Sequence, residues 1–469
     1  MTFSAGSTPP HEEPSFRNED GEIRPEFVES VLEALARGDK DEVVGLAGDL
    51  HESDLGALIE AMPREDRPKL IELMGAEFDF SALIEVDDSV REDILEELPT
   101  RTVIEGVREL EIDDAVTILE DLDSADQREI LDALPAIERG QLQRSLDYPE
   151  NSAGRLMQST LVTAPPHWSA GSTLDFVHDA PDESIPDSFF EIFVVDPTHK
   201  FLGSVFLDTL VRAKRTARLD ELVKERHAVA ATDDQEEVAR MFERYNLVSA
   251  PVVDEGGRLV GAITIDDIVD VIEEEAEEDI KALGGVRAEE SLSDTVMGIT
   301  RSRFLWLLVN LATAFLASSV LGFFADQLEK MVALAVLAPI VASQGGNAAT
   351  QTMTVAVRAL ATRELSPANA MRVTLREASV GWLNGIAFGV LTGIAAGFWF
   401  QSYGLGFVIC LAMVTNLVAG ALGGILIPLA LDRYNYDPAV SSGAFVTTVT
   451  DVVGNFAFLG IATLWFGLR

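Results

Sequence analysis

Between Ala378 and Leu431 the chain runs for 54 residues without a charged side chain. One helix needs about 20 apolar residues to cross a bilayer, so this stretch predicts two spans turning near Gln401-Ser402-Tyr403-Gly404. Three further apolar runs, Phe304–Phe324, Met331–Val357 and Pro438–Leu468, raise the expected number of transmembrane helices to five. Backbone polar groups in lipid must be satisfied internally, which restricts this half to a helical bundle. Arg301 and Arg303 precede the first span, and Arg358, Arg363, Arg372 and Arg376 lie between the second and third. The opposite turns carry only Asp326, Glu329 and Lys330, or no charge. This asymmetry puts the N-terminal part in the cytoplasm and Arg469 outside, as expected of a multi-pass protein of the inner (plasma) membrane.

The charge divides at the same place. Residues 300–469 hold nine Lys and Arg against seven Asp and Glu, a net of +2, which leaves −45 of the total −43 to residues 1–299. An acidic half of this size repels phosphate backbones, so nucleic acid is excluded as a partner; cations suit it, as does a purely solubilising role. Cys410 is the lone cysteine, and all six histidines precede residue 228. A metal handled by the membrane half must therefore use oxygen ligands, which favours hard cations such as Mg²⁺, Ca²⁺ or Mn²⁺. Residues 1–23 are polar with no apolar core, and are expected to be a disordered tail rather than a signal peptide.

Residues 24–157 read as short amphipathic helices, acidic on their outer faces. Asp54–Pro63 is echoed at Asp114–Asp123, and each copy continues into a second helix, Arg67–Met74 and Gln127–Leu134. Stacked hairpins of this kind build a small superhelical domain. A second repeat, with a period of 58 residues, fills 158–272. Val194-Val195-Asp196, Gly203 and Asp208 match Val252-Val253-Asp254, Gly261 and Asp266, each in a strand–turn–strand–helix order. Two such units resemble a CBS pair. In the second, Gly261-Ala262-Ile263-Thr264-Ile265-Asp266-Asp267 fits the pattern with which CBS domains hold the ribose of an adenine nucleotide. The first has Phe206 and Thr209 at the Thr and Asp positions. Thr264 and Asp267 thus mark one site for a nucleotide such as ATP, or a structural pair with none.

Nine of the fifteen residues from Asp266 to Ile280 are acidic, with no basic residue before Lys281. Like charges at i, i+4 repel along a helix; bridging divalent cations would relieve them, and a solvated linker would tolerate them. A connecting helix is expected over 273–299. Within the membrane half two stretches stand out. Pro339–Thr352 brings a Pro, adjacent glycines and several amides into mid-span, where a broken helix would free carbonyls toward a cavity. Pro438–Leu468 keeps a single ionisable residue, Asp451, flanked by Thr447, Thr448 and Thr450. A carboxylate at such depth costs several kcal/mol and marks an ion path, or a residue bonded to those threonines.

Together these residues resemble the MgtE family of Mg²⁺ channels over nearly the whole chain. The most specific marks are Gly345-Gly346-Asn347-Ala348-Ala349-Thr350-Gln351-Thr352, Asp437-Pro438-Ala439 and Thr447-Thr448-Val449-Thr450-Asp451; Tyr148–Arg155, Thr232–Arg240 and 266–280 add to them. The resemblance implies a multidomain membrane protein: an acidic α-helical N domain, an α/β CBS pair, a connecting plug helix and a five-helix transmembrane domain at 300–469. It implies a homodimer whose pore, lined by the second and fifth spans, holds hydrated Mg²⁺ at Asp451 beside Gly346, Asn347 and Thr447, with Asp437 at the cytoplasmic mouth. It further implies a regulatory Mg²⁺ sensor at Asp234, Glu236, Asp267, Asp270, Glu275, Glu278 and Asp279. High internal Mg²⁺ would bridge these carboxylates and close the pore. Asn246 stands where the family can carry Asp. The sequence shows no nucleophile–base set and no phosphate loop, so no enzyme is expected. An H⁺- or Na⁺-coupled divalent cation carrier and a non-conducting membrane sensor are the competing readings.

Overall fold

The computed structural model describes residues 16–18, 21–181, 185–186, 188–224, 226–287, 290, 295–434 and 436–468, the side chains of 440–442 excepted. Most of the expected tail, 1–23, lies outside them. Its described end is held down: the Arg17 guanidinium donates to Asp54, and Arg17 bridges to Ile23. Two compact units follow, 1–272 and 273–469.

The first unit opens with the helical domain. Pro25–Arg37, Lys40–Ala47, Glu52–Ala61, Arg67–Met74, Asp88–Glu97, Thr100–Val107, Ile112–Glu120, Asp126–Ala133 and Ala136–Leu146 pack one continuous apolar core. The acidic residues that punctuate the sequence cap these helices: the side chains of Asp39 and Asp87 accept from the backbone N–H groups of Glu42 and Ser89, satisfying donors that a helix start leaves unpaired. The internal echo is structural. Leu55, Leu58 and Ile59 are buried, as are their counterparts Ala115, Ile118 and Leu119. Arg67 donates to the Ile59 carbonyl (3.1 Å), and Gln127, at the equivalent place, donates to that of Leu119 (3.1 Å). In both hairpins a long polar side chain from the second helix thus closes the carbonyl end of the first. Arg91, almost fully buried, ties Asp88–Glu97 to Ile112–Glu120 through Asp121.

Two three-stranded sheets follow, β1 (Thr163–Ala164), β2 (Glu191–Val195) and β3 (Phe201–Phe206), then β4 (Val229–Ala230), β5 (Ser249–Val253) and β6 (Leu259–Thr264). In each, the first pair is parallel and the second antiparallel. The 58-residue period extends to atomic detail. Val194 pairs with Gly203 and Val252 with Gly261, and the bulges fall at Val194/Val195 and Val252/Val253. The repeated Asp proves to be a turn former: Asp196 Oδ1 accepts from the N–H of Thr198 and Lys200, and Asp254 Oδ1 from those of Gly256 and Arg258. The copies meet across a local two-fold at the bridge between Lys200 and its counterpart Arg258.

The connecting helix is Ile265–Leu283, earlier than the 273–299 expected from its charge. It starts directly from β6, where Thr264 donates to Asp267, and it stops at Gly284-Gly285, where Gly285 adopts φ +71°. The second unit holds five helices long and apolar enough to cross a membrane: Val296–Phe323, Val332–Ala361, Ala370–Trp399, Tyr403–Arg433 and Pro438–Phe466. Several overrun the apolar windows because capping, not hydropathy, sets their ends. The Thr295 side chain accepts from Gly298 N, so the first helix takes in Arg301 and Arg303. The second helix is continuous through Pro339, Gly345 and Gly346, and the break considered there does not occur. Its glycines serve contact instead: a Cβ on Gly345 would stand 2.0 Å from Asn416 Nδ2. Along the third helix Gly381, Gly385, Gly389 and Gly393 meet the fourth helix at Leu417, Val414, Cys410 and Gly406, the close approach that small residues at spacing four allow.

Candidate pore and cation-sensing surface

The second helix has two unlike faces. Leu337, Val341, Gly345, Ala349, Thr352 and Met353 are buried against its neighbours. Ser343, Asn347, Thr350, Gln351 and Thr354 are exposed at helical spacing on the other side, with Gly346 at the margin. A polar stripe in a span is stable only against water or protein. The fifth helix supplies an adjoining stripe, because a Cβ on Gly346 would lie 3.9 Å from Thr450 Oγ1. There Thr447 is exposed, and Asp451, one turn on, is half-buried. The threonines do not satisfy this carboxylate. Thr447 donates to the Gly443 carbonyl (2.9 Å), Thr448 to that of Ala444 (2.6 Å) and Thr450 to that of Thr447 (2.9 Å). Each hydroxyl is thereby committed to a carbonyl of its own helix; Thr447 is exposed, whereas Thr450 is fully buried. Gly346 thus adjoins Thr450, and the exposed Asn347 and Thr447 and half-buried Asp451 on these two packed helices carry only oxygen and amide groups, the donors that suit a hard cation and its waters.

Asp437 stands at the start of the fifth helix, exposed, with Oδ1 accepting from Ala439 N (2.7 Å). As N-cap before Pro438 it accounts locally for the Asp-Pro-Ala order. The end of the connecting helix reaches the same region: Ala282 is buried in a cluster with Ala349, Met353 and Val357 of the second helix and Ala439 and Val446 of the fifth.

The expected sensor residues are dispersed. Asp234 caps Gln235–Tyr245 through Glu236 N (2.9 Å), and Glu236 pairs with Arg240. Asn246 ends that helix in the left-handed region at φ +49°, a conformation Asn tolerates well. Along the connecting helix Asp270 is exposed, and Glu275, Glu278 and Asp279 are half-buried. Among the described residues no three His, Cys, Asp or Glu side chains group so that they could hold a metal.

One carboxylate meeting was not foreseen. Asp113, at the start of Ile112–Glu120, is buried, and its Oδ2 has no hydrogen-bond partner. Burial, reinforced by the charges of Asp267 and Asp114, raises its carboxyl well above the usual range. Burial and Asp267 push Asp114 up to about 7. Burial also takes Asp267 to about 7, against the opposing bond from Thr264 Oγ1 (2.8 Å). An Asp doublet at a helix start ordinarily reads as complementing the helix dipole. The available signal was that Asp113 lies on the same face as Val116.

Thr264 and Asp267 are less suited to a nucleotide than their spacing suggests. Thr264 donates through both Oγ1 and N to Asp267 Oδ2, so the Asp267 carboxylate is engaged at the start of its own helix. The cavity beside Thr264 is small, about 20 Å³, and among the described residues no Lys or Arg lines it. At its wall lies the buried Glu191, which accepts from Ser204 and from Ser249 Oγ (2.6 Å) and stands 3.7 Å from Arg226 Nε. A phosphate at this wall would meet the Glu191 carboxylate, whose charge Arg226 partly offsets.

Comparison with known proteins places these features. Three family sequence models match: the divalent cation transporter MgtE over 338–461, the MgtE intracellular N domain over 50–151, and the CBS domain over 221–274. The chain is 32% identical over 441 residues to the magnesium transporter MgtE of Thermus thermophilus, covering 93% of this chain and 97% of that one. It is 27% identical over 439 residues to the magnesium transporter MgtE of Bacillus subtilis, with the same coverage. The crystal structure of the cytosolic domain of the Mg²⁺ channel MgtE in complex with ATP resembles it at 29% identity and a TM-score of 0.48, covering 52% of this chain and 99% of that one. With its helical domain, CBS pair and five apolar helices, the chain belongs to the MgtE family of divalent cation transporters.

Proposed function

We propose that the protein is a Mg²⁺ channel, closed by Mg²⁺ on its cytoplasmic side. The observation that carries this reading is the joined polar surface of the second and fifth helices, Ser343, Asn347, Thr350, Gln351 and Thr354 beside Thr447 and Asp451, on an otherwise apolar unit. A second copy facing it would enclose a pore with two Asp451 carboxylates. That homodimer gives the stripe water instead of lipid. Mg²⁺ dehydrates reluctantly, and the exposed polar groups of Thr447, Asn347 and Gln351 suit contacts through its water shell. The relatives named magnesium transporters support the choice of ion.

Gating follows from charge. The connecting helix carries Asp267, Asp270, Glu275, Glu278 and Asp279, and its end packs on both pore helices. Divalent cations between these carboxylates and those of Asp113, Asp114, Asp234, Glu236 and Asp437 would neutralise their repulsion and hold the helix in place. On removal of Mg²⁺ the carboxylates repel and the end of the helix moves. The N-terminal unit then lies in the cytoplasm. The test is Mg²⁺ flux into proteoliposomes across a series of internal Mg²⁺ concentrations. Wild type should conduct at low internal Mg²⁺ and close as it rises, and Asp451→Ala should form a normal dimer with flux at background. Full flux in that variant refutes the pore assignment, and flux that tracks an H⁺ or Na⁺ gradient favours a coupled carrier.

A further inference from the structure

Asn416 lies midway along the fourth helix, a helix with no part in the polar stripe, and is completely buried. Its Nδ2 donates to the Val341 carbonyl of the second helix (2.8 Å). Its Oδ1 has no hydrogen-bond partner. Two glycines make room for this amide. A Cβ on Gly345 would stand 2.0 Å from Nδ2 and 2.9 Å from Oδ1, and a Cβ on Gly454 2.5 Å and 2.9 Å from the same atoms. One glycine belongs to the second helix and precedes Gly346-Asn347. The other belongs to the fifth helix, three residues after Asp451. The same face of the fourth helix continues to Gly420, packed on the Gly345 carbonyl and near Thr450 Cγ2, and to Gly424, packed on the Ala349 carbonyl.

A buried amide with one unpaired oxygen is less favourable than an apolar side chain of the same shape, since an unmet acceptor retains its desolvation penalty. Packing alone therefore does not explain an Asn here. The amide does what Leu could not: it fixes the second helix by a directional bond, while its flat face lies against the backbone of the fifth. We propose that Asn416 is a positioning residue that sets the second and fifth helices in one register, and so sets the placement of Asn347 relative to Asp451 and the discrimination among divalent cations. This rests on the pore reading above, and the experiment separates the two.

Full-length Asn416→Leu and Asn416→Asp are compared with wild type by amide hydrogen exchange in detergent and by Mg²⁺ and Ca²⁺ flux in proteoliposomes. In Asn416→Leu, exchange of the amides at 342–349 and at 450–456 should rise together by at least fivefold, with elution as a normal dimer. Its half-saturating Mg²⁺ concentration should rise about tenfold, and its preference for Mg²⁺ over Ca²⁺ should fall. Asn416→Asp keeps the shape, and only its protonated form can donate to Val341. Its exchange relative to wild type at the same pH should return toward unity as pH falls, which a purely structural loss would not do. Exchange unchanged in both helices, or raised in only one, overturns the proposal, as does discrimination within twofold of wild type in a conducting variant. Exchange does not depend on the ion. Absence of wild-type flux would therefore count against the channel reading alone, with the role of Asn416 still decided.

Discussion

Raising the pH from 6 to 8 in the presence of a chelator should loosen the contact between Ile112–Glu120 and the start of the connecting helix. Asp114 and Asp267 are each pushed up to about 7 by burial, and burial raises Asp113 well above the usual range too. In an opened chain an Asp titrates near 3.9, so between about pH 4 and 7 the closed form holds a proton that the open form lacks. Closure is therefore favoured most at low pH and loses that advantage as pH rises through 7. For one group at 7, integration between pH 6 and 8 amounts to about 1.4 kcal/mol, a tenfold rise in the opened population. The three carboxyls repel one another, so their protons leave in successive steps that belong to the cluster, and the tenfold of a single group is the expected scale. The assay is hydrogen exchange of the amides in Ile112–Glu120 of the full chain, divided by intrinsic rates at each pH. Millimolar Mg²⁺ at pH 8 should restore protection by replacing the proton, and Asp267→Asn should make the profile shallower, with burial still holding Asp113 and Asp114 up. Protection independent of pH, or an Asp267→Asn profile parallel to wild type, would refute the reasoning.

Three further outcomes follow from the geometry. Thr264→Ala removes the hydroxyl donor to Asp267 at the start of the connecting helix and should cost about 1 kcal/mol, read as faster exchange at residues 265–268 with transmembrane helices unaffected. Gly106→Ala would set a Cβ 2.3 Å from the Phe80 ring; overpacking of this kind costs about 1–3 kcal/mol and should lower the thermal midpoint of the helical domain. Titration with ATP should leave the melting profile of the full chain unchanged, since the cavity beside Thr264 is small and a phosphate at its wall would meet Glu191; a saturable upward shift would overturn that reading.

The five helices were legible because hydropathy and backbone satisfaction in lipid leave few alternatives. Their ends were less so: the Thr295 cap starts the first helix ahead of its apolar run, whereas the fifth starts at Pro438 as expected. The 58-residue period was visible as spaced Val, Asp and Gly. The reason for the Asp, a carboxylate gathering two N–H groups in a turn, is local chemistry that the repeat alone does not distinguish from a ligand. Asp234 and Asp267 stood out as acidic, and each is also bonded at a helix start. The meeting of Asp113 with Asp267 was hidden because it joins residues far apart in the chain, each ordinary at its own helix start. Asn416 was hidden in another way. An uncharged amide among glycines in an apolar run carries no local signal, and its importance depends on Gly345 and Gly454 in two other helices.

The glycines of the third helix have a consequence for assembly. Gly381, Gly385, Gly389 and Gly393 form a ladder of like rungs, and a ladder fits its partner again after a slip of one rung, about 6 Å along the axis. The close approach that makes this pair adhere therefore does little to say where along its length it should stop. That choice falls to the connection Phe400-Gln401-Ser402, held tight by Gln401 at φ +49° and by Ser402 capping the fourth helix at Leu405 N. The hairpin is thus indexed from its turn, like a folding rule from its hinge. Every level below it, down to Asn416 and the pore helices it touches, inherits its height from those three residues.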